Sequence, residues 1–136
     1  MKKMMITLLS LLSALVVGIC CTAVSAQTTP EITKGNCDAC ASFCAKTLTY
    51  CSGKKGKYAQ ASTTAALLDC VGACRMASDM MGRSSILQSK AAAICVDACN
   101  NCMKSCESFK DDNNMKACAD ECRKCAGNCQ KVASAK

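Results

Sequence analysis

The sequence predicts an all-α protein, an antiparallel up-and-down four-helix bundle with a cysteine-lined core. Cysteines recur three or four residues apart along much of the chain, and residues with that spacing lie on one face of an α-helix. Short breaks rich in glycine, serine, asparagine and aspartate divide the chain into four segments of helical length. Because short loops join antiparallel neighbours, these segments predict an up-and-down bundle.

The first 26 residues have the pattern of an export signal. Lys2 and Lys3 precede an apolar stretch that ends at Ile19, and Ala26 completes a small-residue cleavage site. We therefore expect residues 1–26 to be removed, together with two of the sixteen cysteines, Cys20 and Cys21. The mature protein would be periplasmic or extracellular. It would comprise a leader segment, 27–35, and one helical domain, 36–136.

The first two helices are predicted from the breaks around them. The first should start at 34–36, run to about Cys51 and end in the loop 52–56. The second should run from about Lys57 to Met81 and stop at Gly82. Pro30, the only proline, would lie in the leader and break no helix.

The last two helices are predicted from capping residues. Ser84 or Ser85 could cap the third, which would continue to about Lys110. The turn 111–114 contains two aspartates and two asparagines, and its last members could cap the fourth helix. These helices complete the predicted bundle.

The cysteines of the predicted mature chain share one set of helical offsets. The pattern C-x3-C-x2-C-x3-C, with offsets 0, 4, 7 and 11, occurs twice in full and twice in part. The two full copies are Cys95, Cys99, Cys102, Cys106 and Cys118, Cys122, Cys125, Cys129; the partial copies are Thr33, Cys37, Cys40, Cys44 and Cys70, Cys74, Ala77, Met81. Each helix therefore presents a stripe of sulfur, and the four stripes would face one another in a bundle.

Three interpretations of these stripes compete. Cysteine could simply be a small buried apolar residue, but composition alone does not repeat one pattern twice. The cysteines could staple the helices of a secreted interaction module through disulfides, as is common in short exported chains. Cβ atoms at i and i+4 lie about 5 to 6 Å apart, which strains a bridge within one helix but leaves bridges between helices open. The third interpretation is a metal site.

The donor set restricts the metal. The chain has no histidine, and the carboxylates next to the cysteines in sequence point about 100° or more away from the stripes, towards water. These carboxylates are Asp38, Asp69, Asp79, Asp97, Glu107, Asp120 and Glu121. Thiolates with neighbouring thioethers select Cu(I), zinc or iron–sulfur clusters and exclude calcium and magnesium.

Charge favours Cu(I) over zinc. Zinc bound by four thiolates carries a net charge of about minus two, which is costly in a buried core. A monovalent ion neutralises one thiolate, so bridging thiolates loaded at about one Cu(I) per cysteine form a neutral filling. A thiolate zinc buffer and a disulfide-stapled module nevertheless remain alternatives.

The repeated C-x3-C-x2-C-x3-C over 37–129 resembles the cysteine-rich four-helix-bundle copper storage proteins. The resemblance implies storage or sequestration of many Cu(I) ions without catalysis, assembly into a homo-oligomer, and exchange with copper donor or acceptor proteins. It also implies as ligands all fourteen mature cysteines: Cys37, Cys40, Cys44, Cys51, Cys70, Cys74, Cys95, Cys99, Cys102, Cys106, Cys118, Cys122, Cys125 and Cys129.

Two of the candidate ligands stand outside the full pattern. Met81 occupies offset 11 from Cys70, and its thioether would give a weaker Cu(I) site at an end of the bundle. Cys51 follows Cys44 by seven residues and stays on the same stripe.

Other functions have little support in the sequence. The net charge is +7, but only two tyrosines and two phenylalanines are available as stacking platforms, so a nucleic-acid site is not expected. Without histidine a catalytic thiol would lack its usual base. Once the signal is removed we expect no membrane association.

Overall fold

The computed structural model describes residues 28–135, in which four α-helices form an antiparallel bundle. The helices are α1 (Thr29–Lys54), α2 (Ala61–Gly82), α3 (Gln88–Glu107) and α4 (Asn113–Ala133), and a short 3-10 helix (Gly56–Ala59) lies between α1 and α2. Each helix packs against its two neighbours in the order α1, α2, α3, α4, and α4 closes the ring against α1. The predicted fold is confirmed.

Helix α1 begins earlier than the sequence suggested. The Thr28 hydroxyl caps it by accepting the N–H of Glu31 at 3.4 Å, and Pro30 lies in the first turn, where a missing N–H costs nothing. Gly35 is therefore inside the helix and not at its start, since one glycine costs only about 1 kcal/mol in a helix interior. Most of the predicted leader 27–35 is helical.

The connections differ from the predictions by a few residues. Helix α1 continues past Cys51 to Lys54, where the Lys55 N–H bonds to the Cys51 carbonyl. Lys55 and Gly56 both have positive φ, 62° and 56°, which turns the chain into the 3-10 helix. The predicted start of α2 near Lys57 is thus wrong, because Gln60 is extended and the helix follows it.

Helix α3 is shorter than predicted at both ends. Ser84 has a φ of 49°, and the Ser85 hydroxyl accepts the Leu87 N–H, so these serines shape the turn before the helix instead of capping it. After Glu107 the chain turns and buries Phe109. Helix α4 is capped by Asp112, whose Oδ1 accepts the N–H groups of the next helical turn.

The two ends of the bundle differ. At the aromatic end, where α1 ends and α4 begins, Tyr50, Tyr58 and Phe109 pack together, with ring centroids 6.1 Å and 4.6 Å apart. Lys54 lies 5.3 Å from the centre of the Tyr50 ring, and Lys57 lies 5.1 Å from that of Phe109. At the terminal end, α1 begins and α4 ends. No helix within 28–135 is long and apolar enough to cross a membrane.

The core between these ends is made mainly of cysteine and alanine. Its branched aliphatic side chains are Leu67, Val71 and Val132. Leucine normally fills the inward positions of a bundle. Here sulfur fills them, so the core and the candidate site are the same structure.

Candidate metal centre

Fourteen thiols line the interior of the bundle, and each has no exposed surface. Helices α1, α3 and α4 carry four each and α2 carries two, at offsets that return to the same face after one or two turns. Thr33, Ala77 and Met81, which complete the partial copies of the pattern, are also buried. The structure therefore places every cysteine of the predicted ligand set in one continuous core.

The thiols of different helices are in contact. Cys37 on α1 lies 3.4 Å from Cys129 on α4, and Cys74 on α2 lies 3.5 Å from Cys95 on α3, measured between Sγ atoms. Cys44 on α1 contacts both α2 and α4. Its Sγ lies 3.6 Å from that of Cys70 on α2 and 3.6 Å from that of Cys122 on α4. The interior is thus a connected network of sulfur, not four separate stripes.

Five groups of four thiols each have all their sulfur atoms within 4.8 Å of one another. Neighbouring groups share members, so one thiolate could bridge two metal ions. The groups are Cys37/Cys95/Cys125/Cys129, Cys74/Cys95/Cys99/Cys125, Cys40/Cys70/Cys74/Cys99, Cys40/Cys44/Cys70/Cys122 and Cys44/Cys102/Cys118/Cys122. The first, third and fifth of these share no member and form three layers along the bundle.

All fourteen cysteines of residues 28–135 are free thiols. The shortest Sγ–Sγ distance, 3.4 Å between Cys37 and Cys129, is far longer than the disulfide length of about 2.05 Å. The distances between neighbours instead match those between thiolates on one metal: a tetrahedral ion with bonds of about 2.3 Å separates its sulfur ligands by about 3.8 Å.

Burial and mutual hydrogen bonding govern the protonation of the core. Burial raises the pKa of the Cys51 thiol, and the charges of Cys118 and Asp112 raise it further. The pKa of Cys70 is lowered because neighbouring thiols, Cys102 first, donate to its sulfur, whereas the pKa of Cys74 is raised by its hydrogen bonds to Cys125 and other thiols. Neighbours that stay protonated thus stabilise a thiolate, and a monovalent cation can take the place of those protons.

The carboxylates mostly lie on the surface, as predicted, and four of them form surface ion pairs: Asp38, Asp79, Glu107 and Asp120. Glu121 is the exception. It is half-buried, and its Oε1 is enclosed without a hydrogen-bond partner. Three residues correspond to about 300° of helical rotation, so Glu121 lies only about 60° from the direction of Cys118, at the edge of the stripe.

The sequence matches the family model described as Copper storage protein over residues 19–134, which is most of the chain. The chain belongs to the copper storage protein family. A search of curated protein sequences gives no match. Membership in the copper storage protein family agrees with a helical bundle whose clustered thiols carry no disulfide, which is the arrangement that metal binding by thiolates requires.

The two methionines at the ends of this copper storage bundle differ in their surroundings. Met81, predicted as a ligand, is 5% exposed and borders an open cavity of about 470 Å³ at the terminal end. It takes part in none of the thiol hydrogen bonds found among residues 28–135. Met115, which lies within a turn of a cysteine in the sequence but was not predicted as a ligand, is fully buried, and its Sδ lies 3.5 Å from the Cys51 Sγ. Its position three residues before Cys118 was the available signal.

Proposed function

We propose that this protein holds its copper as Cu(I), on all fourteen core thiols and at about one ion per thiol. The observation that carries the proposal is the continuous network of fully buried thiols, in which overlapping four-thiol groups follow one another along the bundle. Bridging thiolates let neighbouring ions share ligands, so the whole core can fill. The chain's role would be storage without catalysis.

Charge supports the monovalent ion. The ion pairs of residues 28–135 are on the surface, and no lysine or arginine among these residues is buried. A divalent ion bound by four thiolates would leave a net charge of about minus two with no buried cation to balance it. One Cu(I) per thiolate leaves the core neutral.

The three layers that share no member support a second candidate. Each could hold one tetrahedral zinc ion on four thiolates, which would use twelve of the cysteines and make the protein a zinc buffer. The protein would then be saturated by about three zinc ions, whereas it would continue to bind Cu(I) up to about one ion per thiol.

An anaerobic titration tests both candidates. The reduced, metal-free protein is titrated with Cu(I) against a chromophoric chelator, and in parallel with Zn²⁺, while thiols are counted in the same sample. We expect saturation near one Cu(I) per thiol and displacement of any bound zinc by Cu(I). Saturation at one or two Cu(I) ions, or zinc that Cu(I) cannot displace, would overturn the proposal.

The terminal end supports a route for copper. Met81 borders the open cavity there, and a neutral thioether holds Cu(I) more weakly than a thiolate does, so Met81 would serve as a transfer ligand. Lys54 and Lys57 lie over the rings of the aromatic end, where their charges would repel a free cation, whereas Lys34 at the terminal cavity is paired with Asp38. Copper donor or acceptor proteins would exchange ions at the terminal end.

The remaining parts of the proposal concern location and assembly. The signal pattern of residues 1–26, which lie outside the described residues, supports export to the periplasm or beyond. A signal with Lys2 and Lys3 and no twin arginine supports export of the unfolded chain, with copper loading afterwards. The family resemblance supports a homo-oligomer of bundles. Fractionation and light scattering test these points.

A further inference from the structure

A pair of sulfur atoms at the aromatic end lies apart from the four-thiol groups. Cys51, in the last turns of α1, and Met115, in the first turn of α4, are both fully buried, and their sulfur atoms are 3.5 Å apart. Cys51 belongs to none of the five four-thiol groups. The pair therefore offers a donor set of its own, one thiol and one thioether from two adjacent helices, α1 and α4.

A single carboxylate fixes both partners of this pair. Asp112 Oδ1 accepts the Met115 N–H at 3.0 Å, and Oδ2 accepts the Tyr50 hydroxyl at 2.6 Å, where Tyr50 immediately precedes Cys51. Tyr58 donates to the same Oδ2 at 2.9 Å and packs against the Tyr50 ring. The two sulfur atoms are thus held in place by neighbours that are themselves hydrogen-bonded, which lowers the cost of ordering a bound ion.

The charge and softness of the pair select the ion. A thiolate, a neutral thioether and Cu(I) together carry no net charge, which suits a site without solvent. A divalent ion there would leave a buried positive charge, and a hard ion would not accept the thioether. A linear S–metal–S unit spans about 4.6 Å, and the three rotatable bonds of methionine allow Sδ to retreat by the required ~1 Å.

We propose that Cys51 and Met115 form a separate Cu(I) site, of thiolate and thioether, at the aromatic end of the bundle. Binding replaces the Cys51 thiol proton, which leaves to solvent, with one Cu(I) ion. The site rests on the proposed function, and its weaker neutral donor makes it the last to fill and the first to empty as the core loads and unloads.

The test monitors the Met115 side chain directly by NMR. The protein is labelled with ¹³C at its methionine methyl groups and titrated anaerobically with Cu(I); the Met115 resonance is identified by its loss in Met115→Leu. We expect it to shift with the last equivalents of copper. A Met115 resonance that stays in place while the core fills would overturn this site and leave storage intact. A protein that takes up no Cu(I) at all would overturn both.

A matched pair of variants gives a second readout. Met115→Leu keeps a similar volume and removes the thioether, and Met103→Leu makes the same change at a half-buried position of α3. At chelator concentrations that leave the core loaded, Met115→Leu should retain about one copper ion fewer than the control. Equal retention by the two variants would contradict the site, and circular dichroism of both checks that the helices form.

Discussion

The thiol of Cys74 illustrates how one side chain joins neighbouring parts of the core. Its Sγ lies 3.5 Å from Cys95, 3.7 Å from Cys99 and 3.8 Å from Cys125, so it contacts both α3 and α4 from α2. It belongs to two of the four-thiol groups. The loss of this thiol should therefore affect more than one metal position.

We expect Cys74→Ser to lower Cu(I) saturation by about one to two ions, because a hydroxyl is a poor ligand for a soft ion. Ala77→Ser is the control, since Ala77 is equally buried one turn further along α2 and its replacement leaves every thiol in place. The number of copper ions bound per protein, measured by chelator competition, is compared between the two variants. An unchanged capacity in Cys74→Ser would mean that this thiol does not bridge.

Asp112 is a second residue with an effect on two elements, and it makes stability depend on pH. The pKa of its carboxyl is lowered, chiefly by the Tyr50 hydroxyl and also by the Met115 N–H and the Tyr58 hydroxyl. A lowered pKa in the folded state stabilises the protein above the ordinary carboxyl value, and this stabilisation is lost as pH falls through the folded-state pKa.

The variant Asp112→Asn removes the charge of this side chain but keeps the helix cap, because asparagine is also a good N-cap residue. The metal-free wild type should unfold at higher denaturant concentration than the variant at pH 7. This difference should shrink below a pH of about 4, as the wild-type carboxyl becomes protonated. Urea unfolding of the reduced proteins at several pH values measures it. A difference that stays constant down to pH 3 would contradict the assigned role.

At the scale of elements, local spacing predicted the sulfur stripes because the helical repeat depends only on neighbouring residues. Every cysteine expected on a stripe is buried. The helix ends were predicted less well: Thr28 caps α1, which had been expected to start at 34–36, and Asp112 caps α4, where the last members of the turn 111–114 had been expected to do so. The Cys51–Met115 pair depends on the register between α1 and α4, which no local pattern contains.

The incomplete copy of the cysteine pattern on α1 offers a position at which the copper-binding capacity could be increased. Thr33 is buried at offset 0, and its hydroxyl donates to the backbone of α4 at Asn128, next to Cys129. A thiol there would extend the network towards the terminal end. Thr33→Cys should therefore bind about one more Cu(I) ion than the wild type.

Thr49→Cys is the control for this gain, because it adds the same thiol to the exposed side of α1. Both variants are titrated with Cu(I) in the presence of a chelator strong enough to remove copper from isolated thiols. If the two variants hold equal amounts of copper, position 33 does not belong to the network.

At the scale of the whole molecule, the metal and the fold depend on each other. The core contains few branched aliphatic side chains, so the metal-free bundle has little hydrophobic stabilisation for its size. Copper bound by the folded state but not by the unfolded chain stabilises the fold by mass action, by about 2.7 kcal/mol when free copper exceeds the dissociation constant a hundredfold.

We expect the melting temperature to rise with each increment of Cu(I) and to return to the metal-free value when a strong chelator removes the copper. Circular dichroism under anaerobic conditions, at a series of copper-to-thiol ratios, measures the rise. A melting temperature that is the same with and without copper would mean that the ions bind outside the folded core.

The repeated cysteine pattern determines how the copper-binding capacity of such a bundle can change. Four helices fix the cross-section of the bundle, but each further seven residues, about 10.5 Å of helix, would add another C-x3-C step of the same offsets. Capacity therefore grows with helix length, and neither the packing angle nor the chemistry has to change. A lineage could lengthen or shorten the bundle by whole pairs of turns and so adjust its copper content in small, equal steps.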